Sequence, residues 1–186
     1  MEADWEFEIA PDVPVINASW EGLVDLVTHP EKAIELLEAA DFPQLAEVLV
    51  RLNGPYLVVR TSKCDLWRVD LDHESLDADE LDAPPGTVQA AWAGYLDLTA
   101  RDPQRWVNPE TIKQECVALC GRLRLVLLRC CRMDLIIRRA VFSGGEEALG
   151  ITAYLTACGS SKEIAKNVLG EALYAFADSV LDILTN

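Results

Sequence analysis

Two cysteines of this chain lie where a thiol could become a nucleophile. Cys64 stands between Lys63 and Asp65 at a predicted break in a strand, and Cys158 lies just before the N-terminus of the last predicted helix. A nearby cation or a helix N-terminus lowers the pKa of a thiol and so raises the fraction of reactive thiolate. We therefore take Cys64, Asp65 and Cys158 as the candidate catalytic residues.

The rest of the sequence gives these thiols little support. A cysteine nucleophile needs a helper base, and the only two histidines, His29 and His73, lie in or next to acidic surface segments. Cys116 and Cys120 fall on the apolar face of a predicted helix, which favours packing in the core. Zinc sites use spacings such as Cys-x-x-Cys, and the six cysteines show no such spacing. The sequence thus predicts reduced cysteines, no metal and no cofactor.

The common catalytic motifs are missing as well. The sequence has no Gly-x-Ser-x-Gly elbow, no His-Glu-x-x-His, no dinucleotide-binding glycine pattern and no Walker sequence. The turn at 158–162 could hold a phosphate on its N–H groups, but the Ser-x-x-Glu capping box at 160–163 explains the same residues without a ligand. These features favour a protein that is not an enzyme.

Arginines concentrated in one part of the chain form a second candidate site. Between positions 113 and 139 there are seven basic and two acidic residues, a surplus of five positive charges in a chain whose net charge is −15. Guanidinium groups suit the binding of carboxylates. Two interpretations remain, namely ion pairs with the acidic N-terminal half or an anion pocket that includes Arg132, Arg138 and Arg139. Neighbouring strand residues point to opposite faces, so Arg138 or Arg139 should meet a helix or a cleft where it needs an acidic partner.

The segment at about 70–86 is the most acidic part of the chain. It holds seven carboxylates and no Lys or Arg between positions 70 and 82, which is typical of an exposed loop. Three of these residues alternate as calcium ligands can: Asp70, Asp72 and Glu74. However, Ser75 and Leu81 occupy positions where an EF-hand needs Gly and a bidentate Glu. A solvated loop is therefore predicted instead of a calcium site.

Hydrophobic periodicity outlines the elements that must position these residues. Strand patterns cover 5–9, 56–69 with a bulge near 62–65, 133–142 and 149–156, and helical patterns cover 30–40, 43–52, 87–98, 109–127 and 160–184; residues 20–27 fit either structure. The last two strands form a C-terminal β-hairpin, which a long amphipathic helix follows. We expect a single α+β domain over 1–186, with a small mixed or antiparallel sheet of about four strands packed with about five or six helices.

Charge and targeting signals restrict the location and partners of the protein. The N-terminal residues lack the basic region and apolar run of a signal peptide, and no apolar stretch is long enough to span a bilayer. A cytoplasmic location is therefore expected. A net charge of −15 repels phosphate groups, so nucleic acid and anionic membranes are disfavoured and a basic protein is the expected partner.

Two functional hypotheses follow. The leading hypothesis is a non-enzymatic acidic cytoplasmic protein, of the inhibitor, immunity or adaptor type, that binds a basic protein. Its five tryptophans are available as interface anchors. The alternative is a small enzyme or an anion-binding protein whose pocket combines Cys64 and Asp65 with the strand that carries Arg138 and Arg139.

Overall fold

A computed structural model describes residues 1–73 and 76–185. The chain forms six strands, namely β1 Glu2–Phe7, β2 Ile16–Asn17, β3 Val59–Arg68, β4 Ala90–Ala100, β5 Cys131–Val141 and β6 Glu147–Gly159. Its α-helices are α1 Leu37–Ala40, α2 Pro43–Leu52, α3 Pro109–Leu123 and α4 Lys162–Ile183, and short 3-10 helices cover Pro30–Glu35, Pro103–Trp106 and Ser143–Gly145. Glu74, the third residue of the alternating acidic pattern, and Ser75 lie outside the described residues.

All six strands belong to one mixed sheet. The strand order is β1-β5-β6-β4-β3, and β2 pairs with β5 farther along the edge where β1 also pairs. The pairs β3–β4, β4–β6 and β5–β6 are antiparallel. Strands β1 and β2 run parallel to β5. The prediction of about four strands is therefore wrong. The two strands it missed are β2, which is only two residues long, and β4.

Strand β4 occupies the segment that the sequence analysis assigned to a helix at 87–98. Its alanines and the spacing of Tyr95 and Leu98 resemble a helical pattern, because alanine has a high helix propensity. In the structure β4 is hydrogen-bonded on both sides, to β3 and to β6. Two of its alanines, Ala91 and Ala93, pack in the small cluster on the face of the sheet away from the main core. Long-range strand pairing therefore overrides the local preference.

One face of the sheet packs against the helices. The central strands contribute Leu96, Leu98, Ile151 and Leu155, which form the main core together with buried residues of α2, α3 and α4 such as Leu49, Leu119 and Phe176. The last helix begins one residue later than its predicted capping box, since the Ser161 hydroxyl, and not Ser160, accepts a hydrogen bond from the Ile164 N–H at 3.2 Å. Within the part of the chain that the structure describes, no helix has the length and apolar content needed to cross a membrane.

Among the described residues, hydrophobic clusters cover the opposite face of the sheet at its two ends. At one end the acidic loop packs its apolar residues, Val69, Leu81 and Ala83, on Ala91, Ala93 and Cys158. At the other end a smaller cluster joins the β2 segment to the last turns of the hairpin: Ile16, Ala18, Ala140, Phe142 and Ala148. Between these two clusters the same face carries the polar and aromatic side chains that line the cleft described next.

Candidate functional site

A bulge in β3 positions a lysine on the cleft face of the sheet. Thr61 pairs with Leu98 and Cys64 pairs with Leu96, so β3 has one more residue than β4 at this point. Ser62 and Lys63 together oppose Asp97 alone. Bulges commonly redirect a side chain in this way. The Lys63 ammonium lies 5.2 Å from the centre of the Trp20 ring, a distance at which a cation is attracted to the ring face.

Lys63 borders a polar cavity of about 280 Å³. Its walls come from the β2 segment and from the cleft-facing residues of β3, β4, β5 and β6, and they include Val15, Ile16, Lys63, Tyr95, Asp97, Arg138, Thr152 and Tyr154. Asp97 is only 7% exposed and accepts a hydrogen bond of 2.6 Å from the Thr152 hydroxyl. Burial raises the pKa of the Asp97 carboxyl above its ordinary value, although Thr152, Arg138 and Lys63 act in the opposite direction. Ionisation of Asp97 is thereby less favourable than that of an exposed aspartate.

Arg138 is held rigidly at one wall of this cavity. Its side chain donates to the Glu8 carboxylate, at 2.9 Å from Nη2, and to the Tyr154 hydroxyl, at 3.3 Å from Nη1. The guanidinium also lies 5.5 Å from the centre of the Tyr154 ring. Arg138 is 8% exposed, and Glu8 supplies the carboxylate that a buried arginine requires. The Glu8 carboxylate therefore offsets much of the Arg138 charge.

Aromatic rings form a row across three neighbouring strands beside the polar cavity. The ring centres of Trp67 and Tyr95 are 6.5 Å apart, and those of Tyr95 and Tyr154 are 5.9 Å apart, both in tilted geometry. The row follows directly from register, because Tyr95 and Tyr154 are cross-strand partners. Such rings provide a flat apolar surface with hydroxyl groups at its edge.

A second cavity, of about 250 Å³, adjoins the first along the β3 edge. Its walls are largely apolar and include Trp20, Val24, Leu26, Leu36, Leu49 and Cys64, while Glu38 and Asp65 supply carboxylates. Lys63 and Tyr95 line both cavities. An apolar compartment and a polar compartment therefore meet at these two side chains.

The predicted catalytic cysteines do not have the properties of activated thiols. Cys64 lines the apolar cavity beside Asp65, but burial, followed by the charges of Glu38, Asp65 and Asp97, raises the pKa of Cys64 to about 12. Burial raises the pKa of Cys158 to about 11, opposite to the lowering expected from a helix N-terminus. Cys158 lies under the acidic loop and lines neither cavity.

The three predicted anion-binding arginines do not converge on one site. Of the three, Arg138 lines the polar cavity. Arg132 forms an ion pair of 2.8 Å with Asp134, and Arg139 belongs to the helix-covered side of β5. Six of the seven basic residues between positions 113 and 139 form ion pairs, but only three of these pairs reach the N-terminal half: Arg124–Asp4, Arg129–Asp82 and Arg138–Glu8. The other three are Lys113–Glu110, Arg122–Asp182 and Arg132–Asp134.

The described residues contain no group of three or more His, Cys, Asp or Glu side chains that could hold a metal ion. All six cysteines are free thiols. Comparison of the chain with protein-family models, with curated proteins and with solved structures finds no match. The cleft is therefore interpreted from its own geometry.

Sequence reasoning missed most of the cleft residues. Tyr95, Asp97 and Thr99 alternate with Leu96, Leu98 and Ala100, which is the period of a strand with one polar face. This alternation competes with the helical pattern of the alanines and of the spacing between Tyr95 and Leu98 in the same segment. Lys63 could not be singled out, because its position in the cleft depends on the bulge.

Proposed function

We propose that the protein binds a small anion with an apolar body in the cleft formed by the two adjoining cavities. The observation that carries the proposal is the sharing of Lys63 and Tyr95 by an apolar cavity and a polar one. An aromatic or aliphatic body fills the apolar cavity, and its anionic group lies between Lys63 and the Arg138 wall. Cavities of a few hundred Å³ with an apolar lining and a few convergent polar groups are typical of small-molecule sites.

Lys63 is the group of the polar cavity that we expect to attract an anion. Glu8 offsets the charge of Arg138, and burial makes ionisation of Asp97 less favourable by raising its pKa. Lys63 takes part in none of the ion pairs between described residues. The ammonium of Lys63 is thus available to a carboxylate or sulfonate, with the Tyr154 and Thr152 hydroxyls as further polar contacts.

The proposal is reversible binding and not covalent catalysis by a thiol. With its pKa raised to about 12, Cys64 is protonated at neutral pH, and the thiolate is the nucleophilic form. Cys64 then acts as a small apolar wall residue of the cavity. This replaces the enzyme version of the pocket hypothesis and retains its anion-binding version.

Interaction with a basic protein stays a prediction that the net charge of −15 supports. Its proposed tryptophan anchors receive less support from the fold. Trp106 is fully buried, and Trp5 and Trp92 pack against the main core. Trp20 and Trp67 are each 36% exposed, and they lie in or beside the cleft. We therefore prefer the small-anion proposal.

A matched pair of probes tests the proposal directly. 2-Naphthalenesulfonate carries an apolar body and a permanent negative charge, and 2-naphthalenesulfonamide has the same body without the charge. We expect saturable binding of the sulfonate, with chemical-shift changes in NMR spectra centred on Lys63, Tyr95 and Thr152. Lys63→Met should weaken binding of the sulfonate about tenfold, since hydrogen bonds to charged groups contribute about 1.5–3 kcal/mol. The affinity for 2-naphthalenesulfonamide should not change.

Lys162→Met is the matched control, because Lys162 is an exposed lysine at the start of α4 that lines neither cavity. It removes the same charge from the molecule and should leave the affinity for the sulfonate within about twofold. Equal losses in the two lysine variants would reject the role of Lys63. The absence of saturable binding for both naphthalene compounds would reject the cleft as a small-molecule site.

A further inference from the structure

The start of β5 and the end of β6 bring two cysteines opposite each other. Cys131 pairs with Ala157 in the antiparallel register, so Cys130 stands across from Cys158. The Cys158 N–H donates a hydrogen bond of 2.8 Å to the Cys130 carbonyl oxygen. Directly opposed residues of antiparallel strands have Cα atoms about 4.5–5.5 Å apart, which is within the range that a disulfide spans.

The two side chains also share one face of the sheet. Cys158 is part of the buried cluster under the acidic loop, and Cys130 packs against the same cluster. Cys131, by contrast, belongs to the main core on the helix-covered face. The Cys130 thiol interacts with the Cys158 thiol and contributes to the raised pKa of Cys158. Of the two neighbouring cysteines, only Cys130 therefore faces Cys158.

The backbone of Cys130 has a conformation that side-chain-bearing residues rarely adopt. Its φ is +61°, in the left-handed region that favours glycine. The side chain of the preceding residue, Arg129, donates two hydrogen bonds to the Asp82 carboxylate, at 2.8 and 3.0 Å. Unfavourable backbone conformations of this kind persist where the surrounding structure enforces them, and they are concentrated at functional sites.

The two thiols differ in their access to solvent. Cys158 is 0% exposed, whereas Cys130 is half-buried. A small oxidant in solution therefore meets Cys130 first. The Cys158 side chain lies next to Cys130 and is covered by the acidic loop.

We propose that Cys130 and Cys158 form a peroxide-sensitive thiol pair that closes a disulfide between β5 and β6. In the first step the Cys130 sulfur attacks hydrogen peroxide, the O–O bond breaks, and Cys130 becomes a sulfenic acid while one water leaves. In the second step the Cys158 sulfur attacks the Cys130 sulfur, the S–O bond breaks, and the thiol proton leaves with the hydroxyl group as a second water. Two thiols are oxidised by two electrons, and one peroxide is reduced to two waters.

Peptide mapping after oxidation tests this pair. The reduced, folded protein is treated with hydrogen peroxide, blocked with N-ethylmaleimide and digested with trypsin without reduction. Trypsin releases Cys130 in the peptide 130–132 and Cys158 in the peptide 140–162, in which it is the only cysteine. We expect these two peptides to become linked, at a mass two hydrogens below their sum, and to separate on reduction.

Variants assign the link to one sulfur, because the peptide 130–132 also contains Cys131. Cys131→Ala should retain the linked peptide. Cys130→Gly should lose it and should still fold, since glycine adopts the positive φ of this position without strain. Oxidation of Cys130 to sulfinic acid without a link, a link that survives in Cys130→Gly, or a dimer joined through two copies of Cys130 would each overturn the proposal.

Discussion

Among the single residues, Cys64 and Cys158 show how burial decides the chemistry of a thiol. Burial raises the pKa of Cys64 to about 12 and that of Cys158 to about 11. We expect iodoacetamide at neutral pH to alkylate both residues at least about tenfold more slowly than free cysteine, because only the thiolate reacts. Mass spectrometry of the peptides that contain Cys64 and Cys158 gives the two rates. Alkylation of either residue faster than free cysteine would restore it as a candidate nucleophile.

Asp97 makes a second prediction at this scale, which concerns pH. Burial raises the pKa of Asp97 above the ordinary value of 3.8, so the folded protein holds this proton more tightly than the unfolded chain. The resulting stabilisation is present at a pH below 3.8 and is lost as the pH rises through the raised pKa. Asp97→Asn should therefore be more stable than the original protein at neutral pH, and the difference should shrink as the pH falls.

Urea denaturation at several pH values measures this effect for Asp97→Asn. An asparagine Oδ1 can accept the hydrogen bond that Thr152 donates, so the substitution changes the charge and keeps this contact. Thr152→Val is the comparison variant, because it removes the hydrogen bond and leaves the carboxyl group. If Asp97→Asn instead became less stable than the original protein as the pH rose to neutral, attraction of the Asp97 carboxylate to Lys63 and Arg138 would outweigh the cost of burying its charge.

At the scale of elements, local signals were sufficient where a helix begins at a proline. The predicted helices at 43–52 and from 109 correspond to α2 Pro43–Leu52 and α3 Pro109–Leu123. In α3 the Asn108 side chain accepts a hydrogen bond from the Glu110 N–H at 3.0 Å, which is a contact between near neighbours in the sequence. Strand β4 has no such cap, and its local signals conflict, because its alanines favour a helix while its alternating polar residues favour a strand. Pairing with β3 and β6 decides between the two.

The candidate site was predictable only in part for the same reason. Cys64, Asp65 and Arg138 were grouped from the sequence, and they line two adjoining cavities. Arg139 was grouped with them but lies on the helix-covered face, because adjacent strand residues alternate. Lys63 and Asp97 come together through the register of β3 with β4 and through a one-residue bulge. Register and bulges depend on long-range pairing, so the polar centre of the cleft was not apparent.

Strand pairing around β4 also makes Gly94 a sensitive position. A Cβ atom on Gly94 would lie 2.2 Å from Cδ2 of Leu66 and 2.6 Å from the backbone oxygen of Asp65. The Leu66 side chain can move, but the backbone of β3 cannot. We expect Gly94→Ala to lower the free energy of unfolding by about 1–3 kcal/mol, as overpacked cores generally do, and to shift the urea midpoint accordingly.

Gly121→Ala provides the matched control for Gly94→Ala. Gly121 lies inside α3, and a Cβ atom there would meet nothing within 4 Å. The same substitution should raise stability by about 0.5–1 kcal/mol at this position, because glycine loses more conformational entropy than alanine in a helix. If Gly94→Ala and Gly121→Ala lowered stability by similar amounts, the close approach between β3 and β4 would not be the cause of the loss in Gly94→Ala.

For the whole molecule, the dominant property is an excess of acidic residues that internal pairing does not remove. The chain has 31 Asp and Glu residues and 16 Lys and Arg residues, and six of the seven basic residues between positions 113 and 139 are already paired. The surplus negative charge therefore surrounds a cleft whose own lysine, Lys63, is unpaired among the described residues. Local attraction and long-range repulsion act on an anion in opposite directions.

Ionic strength separates these two effects and also separates the two functional hypotheses. Screening extends to about 30 Å at 0.01 M salt and about 10 Å at 0.1 M, so added salt weakens repulsion from distant carboxylates more than attraction to Lys63 in direct contact. With a net charge of −15, we expect the affinity for 2-naphthalenesulfonate to rise roughly threefold to fivefold between these two concentrations. Calorimetric titration measures this affinity. The uncharged sulfonamide is the control, and its affinity should not change with salt.

A basic protein partner would show the opposite trend, because both its long-range and its contact attraction to this surface are screened. An affinity for the sulfonate that falls with salt would place its binding at a cationic surface outside the acidic field of the cleft.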